Sequence, residues 1–306
     1  MPSMISVMLR EQLRLLKPLL SKLSISSDRA VQDKIGDMGA RVLSAKLESA
    51  PVVFPNFEAE MITPHGHPEK GVILYLHGGG YTAGSLKYAH GFGSVLANRT
   101  NLCVLCAAYR LAPENPYPAA LEDAYAAYRY LLERGYPESE IFLVGESAGG
   151  GLIFCLAQHL KSRGEALPAK IVGISPWADL RMVSESCTEN EKTDPVLTKE
   201  QLMHYAALYA GEKLTDPCVS PVCGDFTGFP PALLFAGGDE ILLDDSILLK
   251  SKYEEAGASC ELVIEEGLWH VYVLFAVPEA QAALEKIDQF LKVEKDGETK
   301  QALDEA

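Results

Sequence analysis

The chain has 306 residues, 48% of them hydrophobic and 23% charged, a balance that buries a substantial core and excludes a disordered polypeptide. Its 27 basic and 42 acidic residues leave a formal charge of −15, which argues against nucleic acid and anionic membrane surfaces as partners. The seven cysteines are an odd number, several within apolar runs such as Leu102–Ala108. They read as small core hydrophobes in a reducing compartment rather than a disulfide framework. Cys103 and Cys106 spell C-x-x-C, but on a strand that offset points them to opposite faces.

At the N-terminus, Arg10, Glu11, Arg14 and Lys17 interrupt the first 27 residues, so neither a secretion signal nor a membrane span is expected and a cytoplasmic location is the default. Ile5, Leu9, Leu13, Leu16, Leu20 and Leu23 recur at helical spacing and predict an amphipathic helix packed on the body of the protein. Short apolar runs then alternate with longer helical patterns. Strands are predicted at Glu58–Thr63, Val72–Leu76, Leu102–Ala108, Ile141–Val144, Ile171–Ile174, Ala232–Ala236 and Glu261–Ile264. Helices are predicted at about 88–98, 118–134, 148–163, 199–210, 245–256 and 279–292, with Thr198–Gln201 as a capping box before the fourth. Three of the strands are apolar throughout, as strands covered on both faces must be.

This alternation predicts a mostly parallel sheet with helices on both faces. Residues 51–178 and 229–306 form the expected α/β body. Residues 1–50, read as helical without a strand, and 179–228 fall outside the alternation and are expected to form a helical cap over the C-terminal edge of the sheet, where open α/β sheets bind ligands. The charged tail after Val293 is expected to fray.

Chemistry concentrates at four strand ends. Gly145-Glu-Ser-Ala-Gly149 links an apolar strand to a helix, where two glycines permit the sharp turn that lifts a serine hydroxyl clear of the sheet. His77-Gly-Gly-Gly80 follows another apolar strand and offers backbone N–H groups to an anion or oxyanion. Gly78-x-Gly80-x-x-Ala83 also fits a dinucleotide fingerprint, but that site needs an acid about 20 residues on, and residues 71–112 hold no Asp or Glu. Asp239 and Glu240 come just after the strand ending at Ala236, and His270 comes after the next strand. Of the other histidines, His65 and His67 lack a third metal ligand nearby, and His90, His159 and His204 fall in helical patterns. No metal site is expected.

Together, His77–Gly80, Tyr109–Glu114, Tyr117–Asp123, Gly145–Gly150, Asp194-Pro195 and the acid and histidine segments resemble the H-G-G-G esterases, the hormone-sensitive-lipase-like branch of the α/β-hydrolases. The resemblance runs from about Val72 to His270. It implies the α/β-hydrolase fold and a serine carboxylesterase acting on short-to-medium acyl esters through an acyl-enzyme, without a cofactor. It makes Ser147 the nucleophile and His270 the base, with Gly79, Gly80 and Ala148 supplying the oxyanion N–H groups. His77 and Gly78 would support that loop. Glu240 occupies the frame of the family's catalytic Asp and is favoured as the triad acid, with Asp239 as the alternative and Asp244 behind both. Glu146 reads as loop support, Arg110 and Asp123 as scaffold, and Met203, Tyr205, Leu208 and Tyr209 as a lining that limits acyl length. Another hydrolase activity on the same scaffold (amidase, peptidase or deacetylase) is the alternative, ahead of a non-catalytic small-ligand receptor, which would lack His270. The expected partner is a small-molecule ester. The resemblance also allows a homodimer, for which the sequence holds no independent signal.

Overall fold

The structure, a computed structural model, describes residues 1–20, 24–43 and 46–292 and, of residues 20 and 35–43, the backbone alone. In chain order the elements are α1 (Met4–Leu20), α2 (Ile25–Leu43), β1 (Leu47–Val53), β2 (Glu58–Pro64), β3 (Val72–Leu76), α3 (Leu86–Thr100), β4 (Cys103–Ala108), α4 (Ala119–Glu133) and β5 (Ile141–Glu146). Then come α5 (Ser147–Ser162), β6 (Lys170–Ile174), α6 (Ser186–Glu189), α7 (Lys199–Ala210), β7 (Ala232–Gly237), α8 (Leu243–Glu255), β8 (Cys260–Glu265) and α9 (Pro278–Leu291).

All seven predicted strands form. They join β1 in one eight-stranded sheet of order β1-β2-β4-β3-β5-β6-β7-β8. The pairs β1–β2 and β2–β4 are antiparallel, and the other five are parallel. The apolar runs are explained by what covers them. Val72, Leu74 and Leu76 of β3 enter the core under α4 and α5, whereas Ile73 and Tyr75 enter the one under α3 and α9. Strand alternation sends successive side chains to opposite faces, so burial on both faces requires an unbroken apolar run. Of the capping box at α7 the N-cap half forms, with Thr198 accepting a hydrogen bond from the Gln201 N–H at 3.2 Å, while the Gln201 carboxamide donates to the Tyr205 hydroxyl at 2.7 Å.

Two expectations need correction. Residues 1–50 are not purely helical: β1 begins at Leu47, although Glu48, Ser49 and Pro51 break any apolar pattern there. Its register on β2, Leu47 against Pro64 to Val53 against Glu58, makes it a mostly exposed edge strand, where proline is tolerated. The leucine stripe of α1 is turned differently from the prediction. Leu9 and Leu13 pack on the core, but Ile5 is 57% exposed and Leu16 48%. Polar anchors set this rotation: Ser6 and the Ser3 N–H bond to Glu279, Arg10 bonds to Asp239 and to the Gly267 carbonyl, and Lys17 bonds to the carbonyls of Glu191 and Asp194. The Leu20 side chain, Leu23 and the charged tail lie outside the described residues. Among the described residues, no helix is long and apolar enough to cross a membrane.

The sharp β5–α5 turn depends on close approach of α5 to β3. A Cβ at Gly149 would strike the carbonyls of Leu76 and His77, which are backbone atoms with nowhere to move. Gly149→Ala is therefore expected to lower the urea unfolding midpoint by the equivalent of about 3 kcal/mol or more, at the upper end of overpacking effects. An unchanged midpoint would show that the turn tolerates a methyl group.

Candidate active site

Ser147 follows β5 and begins α5 with φ of 53°, a left-handed conformation that costs a non-glycine residue energy. Neighbours hold it there. Its carbonyl accepts the Trp177 N–H at 2.9 Å, and Ala148 behind it is fully buried. The residue is 9% exposed, which leaves its hydroxyl at the floor of the site.

His270 comes to this hydroxyl from 123 residues away, with Nε2 2.9 Å from Ser147 Oγ. On its other side, Nδ1 lies 3.5 Å from Glu240 Oε2, a contact in which both side chains are nearly or fully buried. The two candidate acids are thereby separated by position. Glu240 faces the imidazole, whereas Asp239 points outward and pairs with Arg10 at 2.8 Å. Asp244 is also turned away, accepting the Ser186 N–H at 2.8 Å. Two neighbouring residues occupy opposite sides of a tight turn whose Asp239 N–H bonds to the Leu268 carbonyl, and only one of them can reach the histidine.

The glycine loop lies on the other side of Ser147. Gly79 and Gly80 have φ of 108° and 62°, values that L side chains rarely adopt. The Gly79 carbonyl caps the turn by accepting the N–H groups of Thr82 and Ala83. His77 is fully buried, stacked on Tyr109 with ring centroids 4.4 Å apart, and its Nδ1–H donates to the Gly78 carbonyl at 2.7 Å. Burial lowers its pKa to about 4, so it braces the loop as neutral imidazole. Glu146 lies beneath Gly78, whose N–H bonds to it, and takes further bonds from Tyr88 and Tyr75. Burial raises its pKa to about 7, with those bonds pulling the other way.

The N-terminal and inserted segments close over this loop. Tyr205 of α7 packs its ring against Gly80, and the Gln32 carboxamide of α2 lies against Gly79. Tyr209 stacks on Tyr81 with 3.8 Å between centroids, and Leu208 is half-buried beside them. Met203 does not belong to this lining. It is 53% exposed, because the face of α7 that meets the body carries Leu202, Tyr205, Ala206 and Tyr209. Away from the site, Arg110 grips Asp123 through Nε and Nη2, a scaffold contact.

Three supporting residues escaped the reading from sequence. Ser175, at the end of β6, donates its hydroxyl to Glu240 Oε2 at 2.7 Å. Asn190 donates to the carbonyls of Gly238 and Glu240. Asp194, noted only as part of a motif, accepts the N–H groups of Val196, Leu197 and Ile241 and so fixes the turn that carries Glu240. The one signal for Ser175 was its place as the first polar residue after an apolar strand. Asn190 carried none. All seven cysteines are free, and among the described residues no three His, Cys, Asp or Glu side chains are grouped to hold a metal ion.

Comparison with known proteins identifies the family. Residues 73–274 match the family described as having the alpha/beta hydrolase fold. An acetyl-hydrolase of Streptomyces hygroscopicus is 36% identical over 271 residues, 88% of each chain. A crystal structure of an esterase from the bacterial hormone-sensitive lipase family superposes with a TM-score of 0.88 at 37% identity, covering 95% of this chain and 98% of that one. The esterase EstE5, in a crystal soaked with p-nitrophenyl butyrate, also superposes with a TM-score of 0.88, at 32% identity over 94% of this chain and 98% of that one. The chain belongs to the α/β-hydrolase fold family, in its hormone-sensitive-lipase-like branch of carboxylic ester hydrolases.

The buried Glu146 carboxyl makes a pH-dependent prediction. Its folded pKa of about 7 stands above the ordinary carboxylic acid value of 4.5, so the folded state holds this proton more tightly and its contribution to stability is lost as pH rises from about 4.5 to 7. Glu146→Gln removes that loss. Relative to the wild type, the variant should gain stability from pH 5 to pH 8, by at most about 3 kcal/mol, measured by urea unfolding at each pH. A difference that does not change with pH would show that Glu146 is ionised throughout.

Proposed function

We propose that the protein hydrolyses carboxylic esters with short-to-medium acyl chains, using Ser147, His270 and Glu240 as its catalytic triad. The observation that carries this reading is the 2.9 Å contact between His270 Nε2 and Ser147 Oγ beside the glycine loop. His270 takes the hydroxyl proton as Oγ attacks the acyl carbon, because a serine hydroxyl is a weak nucleophile at its own pKa. The N–H groups of Gly79, Gly80 and Ala148 receive the oxyanion of the tetrahedral intermediate. The Glu240 carboxylate orients the imidazole and stabilises the imidazolium. His270 passes its proton to the leaving alkoxide, which departs as the alcohol. A water, deprotonated by His270, then attacks the acyl-enzyme, and the acid is released as Ser147 recovers its proton. Water is the only co-reactant.

The preference for shorter chains rests on the lining. Tyr205 and Gln32 lie directly over the glycine loop, and the Tyr81–Tyr209 stack closes the space beside them. The related EstE5 was soaked with p-nitrophenyl butyrate, an ester within the proposed range.

Ser147→Ala should lower ester turnover by about 10³-fold or more while leaving the unfolding midpoint within the range of the wild type. A serine-directed fluorophosphonate should label the wild type at Ser147. Full activity in the variant, or a label elsewhere, would refute the assignment. Glu240→Gln should cut kcat by about 10³-fold or more, whereas Asp239→Asn should retain most activity. The reverse result would make Asp239 the acid. Across p-nitrophenyl esters from acetate to palmitate, kcat/KM should peak at or below octanoate, and Tyr205→Ala should move the peak to longer chains. A maximum at palmitate in the wild type would remove the chain-length claim.

A further inference from the structure

Ser175 is fully buried where β6 ends, with φ of 47°. Its N–H donates to the Phe235 carbonyl of β7 at 2.7 Å. Its hydroxyl makes two bonds of opposite sense, accepting the Val271 N–H at 3.0 Å and donating to Glu240 Oε2 at 2.7 Å. A hydroxyl has a single proton to donate. With the Val271 N–H on a lone pair, that proton is directed to the carboxylate. The oxygen it meets is the same Oε2 that lies 3.5 Å from His270 Nδ1, while Oε1 has no hydrogen-bond partner among the described residues. Two residues on, the Trp177 N–H holds the Ser147 carbonyl. The three-residue turn after β6 thus touches the acid through its side chain, the residue after His270 through the same hydroxyl, and the serine through the main chain.

We infer that Ser175 is a positioning residue of the triad: its hydroxyl holds the Glu240 oxygen that faces His270 and ties that oxygen to the histidine loop. Bonds to a charged acceptor are stronger than neutral ones, and this one acts on a carboxylate sealed from water. Without it, the carboxylate is free to turn about its terminal torsion and loses its alignment with Nδ1. The inference rests on the assignment of Ser147, Glu240 and His270 in the proposed function.

The left-handed backbone allows the hydroxyl to be tested apart from the fold, because glycine adopts φ near 47° without strain. Ser175→Gly should fold with a midpoint near or modestly below that of the wild type, because relief of the left-handed strain offsets only part of the loss of two buried hydrogen bonds, lower kcat for p-nitrophenyl butyrate by about ten- to a hundredfold, and leave KM within about threefold. Ser175→Ala provides the same comparison with the Cβ retained, and carries it alone if the glycine variant does not fold. Each substitution is then repeated in the Glu240→Gln background. If the hydroxyl acts through the carboxylate, its effect on kcat should largely vanish there, since the two residues work as one unit. Wild-type kcat in both single variants overturns the inference, as does a loss of equal size in both backgrounds. Failure of the wild type to be labelled at Ser147 overturns the triad assignment itself, which keeps the two failures distinguishable.

Discussion

Ser147 and His270 meet at 2.9 Å across 123 residues of sequence, and the constraint that makes this possible is the level register of four adjacent parallel strands. Glu146 stands opposite Ile174, Ile174 opposite Phe235, and Phe235 opposite Val263. Parallel pairing at even height ends β5 and β6 on one line and β7 and β8 together two residues beyond it. The residues that follow (Ser147, Ser175, Glu240 and His270) are therefore delivered to one edge of the sheet. A slip of one residue in any pairing would turn the strand's side chains to the opposite face. Close packing on both faces of β5, β6 and β7 resists such a slip, so the core that stabilises the fold also aligns the site.

Local strain gathers at this edge. Ser147, Ser175 and Val271 all have positive φ, a conformation that costs each on the order of 1–3 kcal/mol. Each is held by a partner from a different strand end: Ser147 by Trp177, Val271 by Ser175, and Ser175 by Phe235. Each strained residue is thus tied to a segment from a neighbouring strand, and the burial of the sheet offsets the cost. The result is a site set by backbone geometry before any ligand arrives.

The N-terminal helices brace the same edge from outside. Arg10 of α1 joins Asp239 and the Gly267 carbonyl, so one side chain spans the turns bearing Glu240 and His270. Lys17 holds the carbonyls of Glu191 and Asp194, and burial lowers its pKa. On α2, Arg29 bonds to the Thr82 and Ala112 carbonyls and to Glu114, which clamps the far side of the glycine loop. Asp239, the runner-up as triad acid, instead anchors α1.

Local physics made much of this legible in the amino-acid order. An unbroken apolar run such as Val72–Leu76 must be a strand covered on both faces, and glycines at 145 and 149 mark a turn that a Cβ would block. Those are short-range rules, so the strands, most helices and the serine, histidine and glycine-loop residues were readable. What stayed hidden depended on contacts between distant segments. β1 exists because β2 offers it an edge, not because Glu48-Ser-Ala-Pro51 favours a strand. The direction of α1 follows from Glu279 and Asp239, more than two hundred residues away. Glu240 and Asp239 are neighbours of like charge, and only the folded turn decides which one faces the imidazole. Ser175 looks like any serine after a strand until β7 and β8 bring a carboxylate and an amide to its hydroxyl. Sequence alone determines which segments must be buried and where the chain must turn sharply, because those demands act within a few residues. Partnership across the sheet edge is decided only by tertiary structure, because it depends on the register between strands that long intervening segments separate in the chain.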